Sequence, residues 1–102
     1  MKVQAELWVS LASLLRSYTA AHGLNGDRQA TVELGEEKIT VRHGSRWLNL
    51  TRNGSAVRWK RDDGTGGMMT LTESGRLRVE DPGTGEEELD MAAEAWAREL
   101  MR

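Results

Sequence analysis

Few side chains in this sequence could do covalent or metal chemistry. The chain holds two histidines, His22 and His43, and no cysteine. Thiolate nucleophiles, disulfides and thiolate zinc sites are excluded by that composition. A metal centre needs three or four convergent ligands. One histidine closes a helical pattern and the other enters a turn, so no metal site and no cofactor are expected. Ser10, Ser13 and Ser17 share one amphipathic stretch with no base placed beside them, which gives a nucleophilic triad no support. The run Asp62-Asp63-Gly64-Thr65-Gly66-Gly67 has the composition of a phosphate or calcium loop. A phosphate cradle needs a helix after it, whereas strand patterns flank this run on both sides. It also lacks the later bidentate acid of a calcium loop, and reads as a hairpin loop. Asn49-Leu50-Thr51 and Asn53-Gly54-Ser55 match the glycosylation pattern, but without a secretion signal they are chance matches. The expectation is a protein that is not an enzyme.

Charge offers more. Between positions 38 and 61 stand Lys38, Arg42, Arg46, Arg52, Arg58, Lys60 and Arg61 with no acid, whereas from position 80 onward eight acids face Arg98 and Arg102. The net charge of -2 conceals this asymmetry. It is compatible with solvated faces or with a basic binding surface.

The elements that must position these groups follow from periodicity. Val3, Leu7, Leu11, Leu14 and Tyr18, widened by Trp8, Ala12 and Leu15, predict an amphipathic helix over 3–22, ended by Gly23. From 29 to 80 the period is two, punctuated by glycines, which predicts a six-stranded antiparallel meander over 29–34, 38–43, 46–52, 55–61, 67–72 and 76–80. Two-residue loops at Glu36-Glu37, Gly44-Ser45 and Asn53-Gly54, and a three-residue loop at Glu73-Ser74-Gly75, set the register. They place Leu34 opposite Ile39, Val41 opposite Leu48, Leu50 opposite Val57, Leu48 opposite Trp59, and Leu71 opposite Leu77. One face then carries Val32, Leu34, Ile39, Val41, Leu48, Leu50, Val57, Trp59, Met69, Leu71, Leu77 and Val79. After Pro82, Thr84 and Glu87 form a capping box, with Glu86 and Glu88 at the positive end of a second helix. Leu89, Ala93, Trp96 and Leu100 are its buried stripe.

The fold class expected is α+β, a two-layer sandwich with N- and C-terminal helices on one face of the sheet, in a single domain spanning 1–102. Glu6 and Arg16 interrupt the apolar N-terminal stretch, and no run approaches the roughly 18 apolar residues of a membrane span. No membrane partner and a cytoplasmic location are expected, and the broad apolar stripe of the first helix leaves room for a homodimer contact. The open sheet face carries the candidate partner-binding residues Arg42, Trp47, Asn49, Arg58, Lys60 and Arg78. One cross-strand row reads Arg42, Trp47, Lys60, an indole between two cations worth about 0.5–1 kcal/mol per exposed contact. Such a platform suits a protein partner. Single-stranded nucleic acid is the alternative, against which stand a single exposed aromatic and a pI near 5.7.

The order helix, six-strand meander, helix resembles the frataxins over almost the whole chain. The stretch ATVELGEEKITVRHGSRWLNLTRNGSAVRWKR resembles the successive hairpins of bacterial frataxins, and GTGEEELDMAAEAWARELM resembles their final helix. The resemblance implies a frataxin-like fold, an exposed sheet that meets the iron-sulfur assembly machinery, and weak iron binding on an acidic ridge. Here that ridge would be drawn from Asp27, Glu33, Glu36 and Glu37, because the first helix carries only Glu6 as an acid. Asn49 matches the family's third-strand Asn, while Arg58 takes the place of its exposed fourth-strand Trp and Trp59 points inward. An iron-sulfur assembly accessory is thus a further alternative. Frataxin-like folds also occur without iron chemistry, as in an accessory subunit of respiratory complex I.

Overall fold

The computed structural model describes residues 2–22, 30–81 and 85–101. Along the chain run α1 (Lys2–His22), β1 (Thr31–Leu34), β2 (Lys38–His43), β3 (Arg46–Asn53), β4 (Ala56–Arg61), β5 (Gly66–Leu71), β6 (Arg76–Asp81), β7 (Gly85–Glu88) and α2 (Leu89–Leu100). The strands form one antiparallel sheet in sequence order. Both helices share one apolar cluster with one sheet face: Trp8, Leu11 and Leu15 of α1, Leu89, Ala93, Trp96 and Leu100 of α2, and Ile39, Val41, Leu48, Leu50, Val57, Met69, Leu71 and Leu77. Each fully buried aliphatic side chain there contributes roughly 1.5–3 kcal/mol.

The sheet has seven strands rather than the expected six. Gly85–Glu88, read as the start of the second helix, instead pairs with β6, setting Glu86 opposite Arg78 and Glu88 opposite Arg76. Arg76 reaches both acids at 3.9 Å. Opposite charges across a strand pair favour extension, and a short acidic strand also blunts the sheet edge. The capping box therefore does not form: Glu87 lies in β7, and α2 begins after Glu88, which is extended and makes no side-chain cap. Thr84, like Gly23, Asp27, Pro82 and Arg102, lies outside the described residues.

Three of the four expected turns set the pairing as read, with Leu34 opposite Ile39, Val41 opposite Leu48 and Leu71 opposite Leu77. The β3–β4 hairpin differs. Leu50 faces Trp59, Leu48 faces Arg61 and Arg52 faces Val57, because the loop is Gly54-Ser55 and Asn53 pairs with Ala56. An Asn-Gly turn needs positive φ at both residues, but among the described residues only glycines adopt it, Gly54 at 62° and Gly44 at 65° among them. Both hairpins therefore use a glycine-first Gly-Ser turn. The slip is two residues, so every side chain keeps its face. Its cost is the Arg42, Trp47, Lys60 row, since Lys60 now faces Asn49.

Burial departs from expectation at the margins. Leu34 on edge strand β1 is 38% exposed, and Val32, Val79 and Trp59 are half-buried, because the helices cover the middle of the sheet. On α1 the buried centre is Trp8, Leu11, Ala12 and Leu15, while Leu7, Leu14 and Tyr18 flank it. The Tyr18 hydroxyl donates to Asp90, joining α1 to α2, and that carboxylate holds the Tyr18 phenol above its usual pKa. Buried Thr19 is satisfied within its own helix, donating to Leu15 O at 2.7 Å. Among the described residues, no helix is long and apolar enough to cross a membrane.

Candidate functional site on the open sheet face

Strand alternation divides six of the seven basic residues between 38 and 61, the seventh, Arg46, standing opposite His43 beside the β2–β3 turn. Arg52 and Arg61 turn to the covered side. Arg52 lies 5.8 Å from the Trp8 ring centroid and donates to Glu36 O at 3.2 Å; Arg61 lies 6.0 Å from the Trp59 ring and pairs with Asp63 at 3.2 Å. Lys38, Arg42, Arg58 and Lys60 project from the open face of β2 and β4 and are exposed. Lys38 belongs to the basic run but not to the expected platform residues, although the alternation that places Arg42 places it as well.

Between these cations, β3 presents Trp47, Asn49 and Thr51. Trp47 is half-buried and stands opposite Arg42. Its other neighbour is an acid: Trp47 N donates to Asp62 Oδ1 at 3.1 Å, and Asp62 N donates back to Trp47 O at 3.3 Å. Asn49 faces Thr40 on one side and Lys60 on the other. Its Oδ1 is buried and accepts no hydrogen bond from the described residues. A hollow of about 330 Å³ lined by Thr40, Arg42, Arg46, Trp47 and Asn49 opens here. A second, of about 350 Å³, lies beside Arg58, Lys60 and Met68, where Met68 is 37% exposed. Gly66 forms its floor of necessity, since a Cβ there would stand 2.6 Å from Trp59 O.

Of the six residues expected to form the platform, Arg42, Trp47, Asn49, Arg58 and Lys60 thus lie together on β2 to β4. Arg78 shares the face but stands on β6 opposite Glu86 and is already engaged. The face is basic at its centre, not throughout, because β7 brings acids to one margin and Glu33 of β1 to the other.

The acidic glycine loop spends its carboxylates on itself. Asp63 Oδ1 accepts from Thr65 N at 2.9 Å and from Thr65 Oγ1 at 2.5 Å, a local turn that Asp is suited to close. The Thr65 hydroxyl and amide, with Arg61, lower the Asp63 pKa from 3.8 to about 2. A depressed folded-state pKa stabilises the hairpin above pH 3.8 and releases that stabilisation as pH falls through about 2. Titration of the Asp63 carboxyl by NMR is expected to show a midpoint near 2, moving upward in Thr65→Val.

Ser10, Ser13 and Ser17 line the exposed side of α1. Glu33, Glu36 and Glu37 are exposed, and among the described residues no three His, Asp or Glu side chains converge on a metal position. A third hollow, of about 570 Å³, lies between α1 and the β1–β2 turn, lined by Trp8, Val9, Leu34, Glu36, Glu37 and Arg52. Set against protein-family models, curated proteins and solved structures, the chain matches none of them.

Proposed function

We propose that this protein is a small non-enzymatic interaction module that binds a protein partner through the open face of its sheet around Arg42, Trp47, Asn49, Arg58 and Lys60. The reading rests on Trp47, which stands half-buried on β3 with exposed Arg42, Arg58 and Lys60 on the strands at either side. It offers the kind of aromatic anchor that dominates interface energetics, and the cations around it suit the acids of a protein partner. The order of helix, meander and helix supports the likeness to the frataxins, with β7 as an addition, whereas iron chemistry draws no support from exposed Glu33, Glu36 and Glu37.

Three variants test the proposal against a partner co-purified with the full chain. Trp47→Ala and Arg58→Glu are each expected to weaken binding by about 2 kcal/mol or more. Asn49→Val is expected to weaken binding while leaving the melting temperature unchanged or higher, because it removes the orphaned acceptor and suits a strand. Unchanged binding in both Trp47→Ala and Arg58→Glu would refute the platform.

A further inference from the structure

On the reading that the open face is the binding surface, we infer that its partner is an acidic protein segment lying along β3, with carboxylates reaching the cations on either side. The described cations fall into two groups. Arg16 donates to Val32 O at 3.5 Å, Arg52 to Glu36 O and Gly54 O at 3.2 Å each, and Arg98 to Glu94 at 3.3 Å. Arg61 pairs with Asp63 and Glu99, Arg76 with Glu86 and Glu88, and Arg46 and Arg78 are engaged as well. By contrast, the side chains of Lys38, Arg42, Arg58 and Lys60 make no hydrogen bond or ion pair among the described residues. All four are exposed, and all four flank β3.

The geometry narrows the occupant. Lys38 and Arg42 line β2, Arg58 and Lys60 line β4, and β3 between them is uncharged on this face. Strands about 4.8 Å apart put the two basic lines roughly 10 Å from each other, close to the width of one helix or one strand with its side chains. A segment with a neutral underside and acidic flanks fits that channel. Glu33 on β1 repels it at one margin, while at the other Arg76 and Arg78 already face Glu86 and Glu88 of β7, so that charge sets its position. Trp47 gives a nucleic acid only one stacking surface, where a strand of bases needs several.

The probes are poly-L-glutamate and oligothymidylate, each titrated into the full chain at low and raised salt with backbone amides followed by NMR. Poly-L-glutamate is expected to shift Lys38, Arg42, Asn49 and Lys60, with salt-sensitive affinity that falls at least about tenfold in the Lys38→Glu/Lys60→Glu double variant and not in Arg76→Glu. Thermal melting confirms that the double variant is folded. No shift with poly-L-glutamate, or shifts centred elsewhere, overturns the inference. Tighter binding of oligothymidylate through the same residues overturns it in favour of nucleic acid. Concentration-dependent self-association abolished by the same double variant overturns it in favour of a second copy of the chain. A co-purified partner lost with Trp47→Ala but retained by Lys38→Glu/Lys60→Glu removes the acidic chemistry and leaves the platform standing. Retention by both removes the platform as well.

Discussion

Trp8→Ala is expected to lower the unfolding free energy by about 3–5 kcal/mol, a large part of the roughly 5–15 kcal/mol available to a domain of this size. Trp8 is 2% exposed and is the largest side chain that α1 commits to the core. Its ring packs beneath the Arg52 guanidinium at 5.8 Å, and its Nε1 donates to Gly35 O at 3.1 Å, pinning α1 to the β1–β2 turn. Gly35 is exposed, so water replaces that hydrogen bond in the variant. The loss is therefore chiefly one of packing, with Arg52 left over a void. Trp8→Phe, which keeps an aromatic ring and loses the Nε1 donor, is expected to cost less than half as much. Guanidinium unfolding followed by far-UV circular dichroism measures both, independently of the altered fluorophore. A Trp8→Ala loss below about 1 kcal/mol, the range of surface substitutions, would show that α1 is not anchored through this ring.

Trp96→Ala is the counterpart for α2, with an expected loss of about 3–5 kcal/mol. Trp96 is 6% exposed, and its ring lies 6.3 Å from that of Trp59 at an interplanar angle of 58°, a tilted arrangement favoured by aromatic quadrupoles. Above Trp59 lies Arg61, which also approaches Glu99 of α2 at 4.0 Å. Removing the Trp96 ring thus uncovers Trp59 and loosens the attachment of α2 to β4. The near-UV circular dichroism arising from the coupled indoles is expected to collapse in Trp96→Ala and to persist in Trp8→Ala. The ring distances place Trp59, not Trp8, beside Trp96. Equal loss of the signal in both variants would contradict that assignment.

How much of this was legible in the residues differs from element to element. The expected β2–β3 and β5–β6 pairs formed as read, because a short turn with one glycine leaves little choice of register. The β3–β4 turn was read one residue too early. The error left the faces intact, because period-two alternation survives a shift of the pairing by two, yet it mattered for the site: the Arg42, Trp47, Lys60 row became two rows, one ending at Asp62 and the other passing through Asn49 and Lys60. Glu86 to Glu88 misled for a different reason. Acids before an apolar run suit a helix start, and only the presence of Arg76 and Arg78 on the neighbouring strand makes them a strand instead.

Local pattern, then, was sufficient for the class of the fold, for the apolar face of the sheet and for the placing of Arg42, Trp47, Asn49, Arg58 and Lys60 on the opposite one. These follow from side-chain period and turn stereochemistry, which act over a few residues. Which cations remained unengaged could not be read that way. Arg52 found the Glu36 carbonyl and Trp8, Arg61 found Asp63 and Glu99, and Arg76 found Glu86 and Glu88, while Lys38, Arg42, Arg58 and Lys60 kept their charge for solvent or a partner. Several of those partners are distant in the chain, and charges segregated along a sequence are compensated only where folding brings opposite signs within a few ångströms of one another.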